Sequence, residues 1–257
     1  MADEATGKRM VIKIGTGVLT RSSGGEINHC VLAGLVQAIA DLNKSGHQVV
    51  MVTSGAVGAG LATFGFEKRP TATDQLQACA AAGQARLMHL YESQFSHRGL
   101  KVAQLLVSQD DLEDDRRRSN VLATLNAILP HQQVIPIINE NDSVSVAELK
   151  VGDNDVLSSF VARLIEADQL ILLTSVDGLL GPDATSDTDI IEQVDDVESV
   201  LDFARDEKSE LSVGGMASKL LAVQASVSAG IETFIASGLR PENLNDLVKG
   251  KGIGTRF

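Results

Sequence analysis

The sequence predicts an α/β fold with a mostly parallel sheet, and three observations predict it. Short apolar runs of strand length alternate with longer stretches of helical periodicity. Most of these runs lead into a corner rich in Gly, Ser, Asn or Asp. No Pro- or Ser-rich linker breaks the alternation, so the 257 residues form one domain rather than a string of small ones. Within it the division is a loose polar tail at 1–8 and a domain over 9–257, in two lobes of about 9–167 and 168–257.

Taken in order, Met10–Ile14 is a short strand ending in Gly15-Thr16-Gly17. Asn28 caps a helix to about Lys44, with Val31, Leu32, Leu35, Ile39 and Leu42 at helical spacing. Gln48–Val52 is a strand ending in Thr53-Ser54-Gly55, followed by a Gly- and Ala-rich helix that Arg69-Pro70 breaks. Thr73–Ser96 is a long helical pattern and Val102–Val107 a strand. The charge run Asp110–Arg118 reads as a solvated loop and helix start, with the helix continuing to Leu129. Val134–Ile138 is a strand, Asp153 caps a helix through Glu166, and Gln169–Leu173 is a strand with a turn at Asp177-Gly178. After an acidic loop at Asp183–Asp189, Asp195–Asp206 and Ala217–Ala229 are helices. Thr233–Ala236 is a strand, Glu242–Val248 a helix, and Gly252–Phe257 a last short strand.

Composition excludes several classes. A formal charge of −12 disfavours nucleic acid and anionic membranes as partners. With no Trp and one Tyr, base stacking has little to work with. Cys30 and Cys79 are too far apart for a redox pair and read as small core residues, and the five histidines are scattered. The N-terminal segment lacks the apolar core of a signal peptide and no run reaches membrane-spanning length, so the chain reads as cytoplasmic.

The densest signal is Ile-Ile-Asn-Glu-Asn-Asp-Ser-Val (137–144), followed by Val-Gly-Asp-Asn-Asp-Val-Leu-Ser (151–158). Two Asn/Asp clusters at a strand end and a helix start stand where open α/β sheets bind ligands. Asn139, Asn141, Asp142, Asp153, Asn154 and Asp155 suit an ammonium, a carboxylate or a lysine; two capped turns are the bland alternative. Neither the dinucleotide fingerprint nor the Walker loop is present, so a nucleotide is held another way. Lys13 interrupts an apolar run. It is either a solvated residue on an edge strand or a cation beside a glycine turn, and Gly15 and Gly17 favour the second. Ser54-Gly55 reads as a helix cap that also welcomes an anion. Lys219, just after Gly214-Gly215 at a helix start, opposes the helix dipole. It is either a surface lysine or a phosphate ligand.

These segments resemble the amino acid kinase superfamily over nearly the whole chain. They are Val-Ile-Lys-Ile-Gly-Thr (11–16), Val-Thr-Ser-Gly-Ala (52–56), Ile-Asn-Glu-Asn-Asp (138–142), 151–158, Leu-Leu-Thr-Ser-Val-Asp-Gly-Leu (172–179) and Gly-Gly-Met-Ala-Ser-Lys (214–219). The paired Asn/Asp motifs are similar to the branch that phosphorylates the γ-carboxylate of L-glutamate in the first step of proline biosynthesis. The lysines and glycine turns alone fit members acting on acetylglutamate, aspartate, carbamate or UMP.

The resemblance implies a three-layer αβα sandwich, an amino acid site in the N-terminal lobe and an ATP site in the C-terminal lobe. Lys13 and Lys219 would contact the transferred phosphoryl group and Asp155 would hold them. Ser54, Gly55, Ala56, Asn139, Asp142 and Asn154 would bind glutamate. Lys13, Gly15, Thr174, Ser175, Val213, Gly214, Gly215, Met216, Ala217, Ser218 and Lys219 would line the ATP site, with Mg²⁺ bridging the phosphates. Ser175 stands where the family often has Asp, and Val213 where it often has Thr. Inhibition by proline, a homo-oligomer and a downstream glutamyl phosphate reductase are also implied. Many bacterial members carry an additional C-terminal PUA domain; this chain stops at the expected end of the kinase domain.

A carboxylate acceptor with a pKa of about 4.3 is ionised at neutral pH and needs no general base. Catalysis then reduces to positioning two anions and covering charge, with Lys13, Lys219 and N–H groups at Gly15, Gly55 and Gly215 as the candidates. Two rivals stay open. One is a kinase of acetylglutamate, to whose acylated nitrogen Asp142 is poorly matched. The other is a sensor that kept the fold, for which Lys13, Lys219 and Asp155 would be superfluous.

Overall fold

The computed structural model describes residues 7–20, 26–144, 154–182, 184–186, 189–204 and 215–257. Among them a seven-stranded sheet runs in the order β3-β4-β2-β1-β5-β6-β7. The strands are β1 (Arg9–Ile14), β2 (Gln48–Thr53), β3 (Lys101–Val107), β4 (Val134–Glu140), β5 (Gln169–Thr174), β6 (Glu232–Ser237) and β7 (Thr255–Arg256). Every pairing is parallel except β6 with β7. β1 is the middle strand, and the chain turns outward on opposite sides of it at β2 and β5. That reversal is the switch point at which open sheets bind ligands beyond their carboxyl ends.

Helices cover both faces: α1 (Thr16–Leu19), α2 (His29–Lys44), α3 (Ala56–Gly60), α4 (Thr73–Ser96), α5 (Gln109–Glu113), α6 (Asp115–Ile128), α7 (Asn154–Leu164), α8 (Met216–Val227) and α9 (Leu244–Val248). The alternation of strand side chains sorts them into two cores. Met10, Ile12 and Ile14 face α2, α4 and α9 through Leu35, Ile39, Leu87, Tyr91, Phe95 and Leu247. Val11, Val52, Leu170 and Leu172 face α6, α7 and α8 through Leu125, Leu157, Val161, Leu220 and Val223. Burial on both faces explains why the central strands read as unbroken apolar runs. The layers are α, β, α, as the resemblance implied.

Several local expectations need correction. β1 is central, not an edge, and Lys13 is 5% exposed. Cys79 is buried but Cys30 is exposed near the start of α2. Asn28 caps α2 as expected, accepting from the Val31 N–H. Ser54 does not cap α3; Gly55 does, at φ 98°. The charge run is ordered helix, because its polar side chains close the helix ends. Ser108 and Asp111 form a reciprocal capping box for α5, and Asp114 accepts from the Arg117 N–H to start α6. Val197–Ala204 is 3₁₀ rather than α, and the last strand is only Thr255–Arg256. Asp153 and residues 205–214 lie outside the described residues.

Two glycines let α3 lie directly on α4. A Cβ at Gly83 would stand 1.8 Å from the Ala56 carbonyl oxygen, and one at Gly60 1.9 Å from that of Cys79. Backbone meets backbone, so neither position has room for a methyl. This contact fixes the segment Ser54–Ala56 at the sheet's carboxyl edge. We expect Gly83→Ala to cost about 1–3 kcal/mol or more. For a domain of this size that lowers the melting midpoint by about 2–4 °C per kcal/mol, readable by thermal or urea unfolding. A midpoint within 1 °C of wild type would show that α3 can retreat.

Candidate active site

Lys13 is the fifth residue of β1 and projects to the same face as Val11, where α7 and α8 lie. Asp155 is the second residue of α7, and Lys219 the fourth of α8. Lys13 Nζ lies 2.6 Å from one Asp155 carboxylate oxygen, and Lys219 Nζ lies 3.1 Å from the other. Asp155 is fully buried, and the lysines are 5% and 7% exposed. This rules out the solvated alternatives for both lysines. Burial alone would push the Asp155 carboxyl up, but the two ammonium groups outweigh it and hold the carboxyl below the usual carboxylate range. The trio carries a net positive charge at the carboxyl end of β1. An acidic residue in the first turn of α7 suits the helix dipole; Lys219 opposes that of α8, and Asp155 offsets the cost.

Asn154, the residue before Asp155, anchors a second cluster. Its Nδ2 donates toward the Thr53 carbonyl at 2.9 Å, Ser54 Oγ at 3.0 Å and Asn139 Oδ1 at 3.0 Å. Asn139 Oδ1 also accepts from the Glu140 N–H at 2.9 Å, and Asn139 Nδ2 donates to Gln84 Oε1 at 2.7 Å. Below them the Thr53 hydroxyl pairs with the buried Tyr91 hydroxyl at 2.8 Å, and burial pushes the Tyr91 phenol well up. Ser54, Asn139 and Asn154 thus converge as expected. Gln84 and Tyr91, both on α4, were not anticipated. The available signal was Gly83, since a glycine inside a long helix marks a close backbone approach and draws the eye to its neighbour. Gly55 and Ala56 open α3 beside Ser54. Asp142 sits in the turn after β4, near enough to Arg69 for their charges to interact.

The residues expected around the nucleotide lie at the ends of β1 and β5 and the start of α8. The Gly15 N–H donates to the Leu173 carbonyl at 3.0 Å, so it is not available to an anion. A Cβ at Gly15 would stand a tight 3.1 Å from the Leu173 carbonyl oxygen and 3.6 Å from Lys13 Nζ, so the glycine lets this turn lie close against β5. Gly17 faces Ser175, whose Oγ would lie 3.7 Å from an added Cβ. Thr174 ends β5 and accepts from the Gly238 N–H at 2.8 Å. Gly215 precedes α8, where Met216, Ala217 and Ser218 form the first turn and Ser218 Oγ donates to the Gly215 carbonyl at 3.0 Å. Val213 and Gly214 lie outside the described residues. The loops after β5 and β6 are tied by Arg240 and Asp177 at 3.0 Å, a pair the sequence did not suggest.

The profile of the amino acid kinase family matches residues 8–237. The glutamate 5-kinase of Clostridium tetani is 40% identical, over 97% of this chain and 94% of that protein. The glutamate 5-kinase of Salmonella paratyphi B is 42% identical, over 100% of this chain and 70% of that one. Among solved structures, carbamate kinase from Giardia lamblia bound to AMP-PNP superposes with a TM-score of 0.64 at 18% identity, covering 98% of each chain. N-acetylglutamate synthase from Neisseria gonorrhoeae gives 0.66 at 17% identity, over 98% of this chain and 61% of that one. The last two establish the fold; the family-wide match and the 40–42% identity establish kinship. The chain belongs to the amino acid kinase family.

Proposed function

We infer that this protein transfers the γ-phosphoryl group of ATP to the γ-carboxylate of L-glutamate, giving L-glutamyl 5-phosphate at the entry to proline biosynthesis. The observation that carries the chemistry is the buried Lys13–Asp155–Lys219 trio. The choice of acid rests on the 40–42% identity to glutamate 5-kinases over essentially the full chain.

The acceptor is already an anion, so the residues have no proton to move. Their task is to bring two anions together and cover the charge that spreads over the transferring oxygens. Lys13 reaches that centre from the sheet and Lys219 from the helix layer on the same face, and Asp155 keeps both ammonium groups aimed. The amide cluster of Asn139 and Asn154, with Ser54 and Asp142, holds the amino acid; the ends of β1 and β5 and the first turn of α8 hold the nucleotide. The N-terminal lobe thus serves the acid, and the C-terminal lobe serves the nucleotide together with the end of β1.

Mg²⁺ enters with ATP. Among the described residues no group of three His, Cys, Asp or Glu could hold a metal, and each Asp155 oxygen faces an ammonium. That donor set suits a magnesium ion held by phosphates and water. Among the described residues no helix is long and apolar enough to cross a membrane. A cytoplasmic location, a homo-oligomer, proline inhibition at or near the glutamate site and consumption of the labile acyl phosphate by glutamyl phosphate reductase complete the reading by similarity.

Hydroxylamine trapping tests it. With MgATP, hydroxamate should form from L-glutamate and not from N-acetyl-L-glutamate; product from the acetylated acid alone would overturn the substrate, and product from neither would favour a sensor. Lys13→Ala should lower kcat by ~10²–10³-fold, like the loss of one preorganised donor, and a near-normal kcat would remove Lys13 from the chemistry. Asp142→Ala should raise KM for glutamate and leave that for ATP; the reverse pattern would move Asp142 to the nucleotide side. Asp155→Asn removes the carboxylate charge shared by two buried cations and should cost about 3–5 kcal/mol at neutral pH. The folded Asp155 carboxyl titrates below its unfolded value, so its contribution is complete above about pH 5 and fades as pH falls through the folded pKa. Urea unfolding of wild type and Asp155→Asn should therefore differ by a constant amount at neutral pH and converge in acid. A gap that widens in acid would contradict the assignment.

A further inference from the structure

We propose that Gln84 also reads the amino acid, donating from Nε2 to the α-carboxylate of the substrate. The inference rests on the reading of an α-amino acid as acceptor.

A backbone N–H can only donate and a backbone carbonyl can only accept. The Glu140 N–H therefore fixes Asn139 with Oδ1 toward it, which turns Asn139 Nδ2 toward Gln84. Gln84 must meet that donor with Oε1, and its Nε2 is left on the other side. From the opposite end, the Thr53 carbonyl fixes Asn154 with Nδ2 toward it and leaves Asn154 Oδ1 over. The amide orientations are thus set by main-chain groups and not by choice. The result is a buried donor, Gln84 Nε2, and a buried acceptor, Asn154 Oδ1, both without a hydrogen-bond partner among the described residues. Buried polar groups in native proteins are nearly always satisfied, so a buried group left over calls for a partner such as a ligand, a water or an ion. An α-amino acid brings the matching pair, a carboxylate that only accepts and an ammonium that only donates. Asn154 is already assigned to the substrate. Gln84 is joined to it through a single side chain, Asn139, and its leftover group has the polarity of a carboxylate ligand. The γ-carboxylate belongs with the lysines, so the α-carboxylate is the one left for Gln84.

The test uses the whole chain, with L-glutamate and its α-amide, L-isoglutamine, in the hydroxamate assay. Gln84→Glu keeps an oxygen to accept from Asn139 but replaces the donor with a negative charge. Gln84→Met keeps the length and removes both functions. Gln84→Glu should raise KM for glutamate by roughly 30-fold or more, with KM for ATP unchanged. Its preference for glutamate over the α-amide should fall by a similar factor, because the amide can donate to the new carboxylate. Gln84→Met should raise KM for glutamate by about tenfold. Thermal-shift titration with glutamate should show the same loss without turnover. A Gln84→Glu variant within about twofold of wild type for glutamate would overturn the proposal and reduce Gln84 to a support for Asn139. Wild type that used the α-amide as well as glutamate would overturn it too, with no variant needed. Wild type inactive on glutamate would instead be a failure of the substrate reading, seen before any variant is made.

Discussion

One shared carboxylate organises this molecule. Asp155 sits where the first turn of α7 meets the end of β1 and the start of α8, and each of its oxygens holds a lysine from a different element. Two lysines can be buried this closely only with the carboxylate between them, since without it two like charges would face each other in a medium that solvates them poorly. The requirement fixes more than the site. It demands a lysine at the fifth position of a strand otherwise buried on both sides, and a lysine in the dipole-unfavourable first turns of a helix. A hydrophobic triad of similar volume would serve stability as well or better. The arrangement therefore makes sense as a preorganised patch of positive charge within a protein of net charge −12.

Asn154 and Asp155 are neighbours that divide the labour. The amide turns toward β2 and β4 and meets Thr53, Ser54 and Asn139; the carboxylate turns toward β1 and α8. The start of one helix thus joins the acid-binding cluster to the charge-covering cluster, and the spacing between them is set by covalent geometry. Pro136 contributes from the other side. It lacks an N–H for the ladder, and β4 registers with β2 only beyond it, at Met51–Ile137 and Val52–Ile138. The strand is tied to β2 just before Asn139.

Much of this was legible in the sequence because the relevant physics is local. Apolar runs with corner residues gave the strands, and Lys13 and Lys219 declared themselves by standing where a lysine is unfavourable. Asn139, Asn154 and Asp155 were visible as a density of short polar side chains. Other features depend on partners far along the chain. Nothing near Lys13 says whether its strand is central or at an edge; that is decided by β2 on one side and β5 on the other. Ser54 precedes a helix, yet its hydroxyl goes to a residue a hundred positions away and leaves the capping to Gly55. The Gly15 N–H is consumed by Leu173 in a neighbouring strand, which no reading of Gly15-Thr16-Gly17 alone reveals. Gln84 lies in the middle of a helix with an undistinguished pattern and gains its role only through Asn139.

The bare crossing of α3 and α4 limits how the site can be altered. Cores usually adapt to substitution by exchanging volume between facing side chains, and here the facing atoms are main chain, with nothing to trim and nowhere to add. That wall of the amino acid cluster is therefore of fixed position, with Gln84 one residue from the contact at Gly83. Redesign toward a bulkier or differently charged acid has to work elsewhere, at the end of β4 and in the turn after it that carries Asp142.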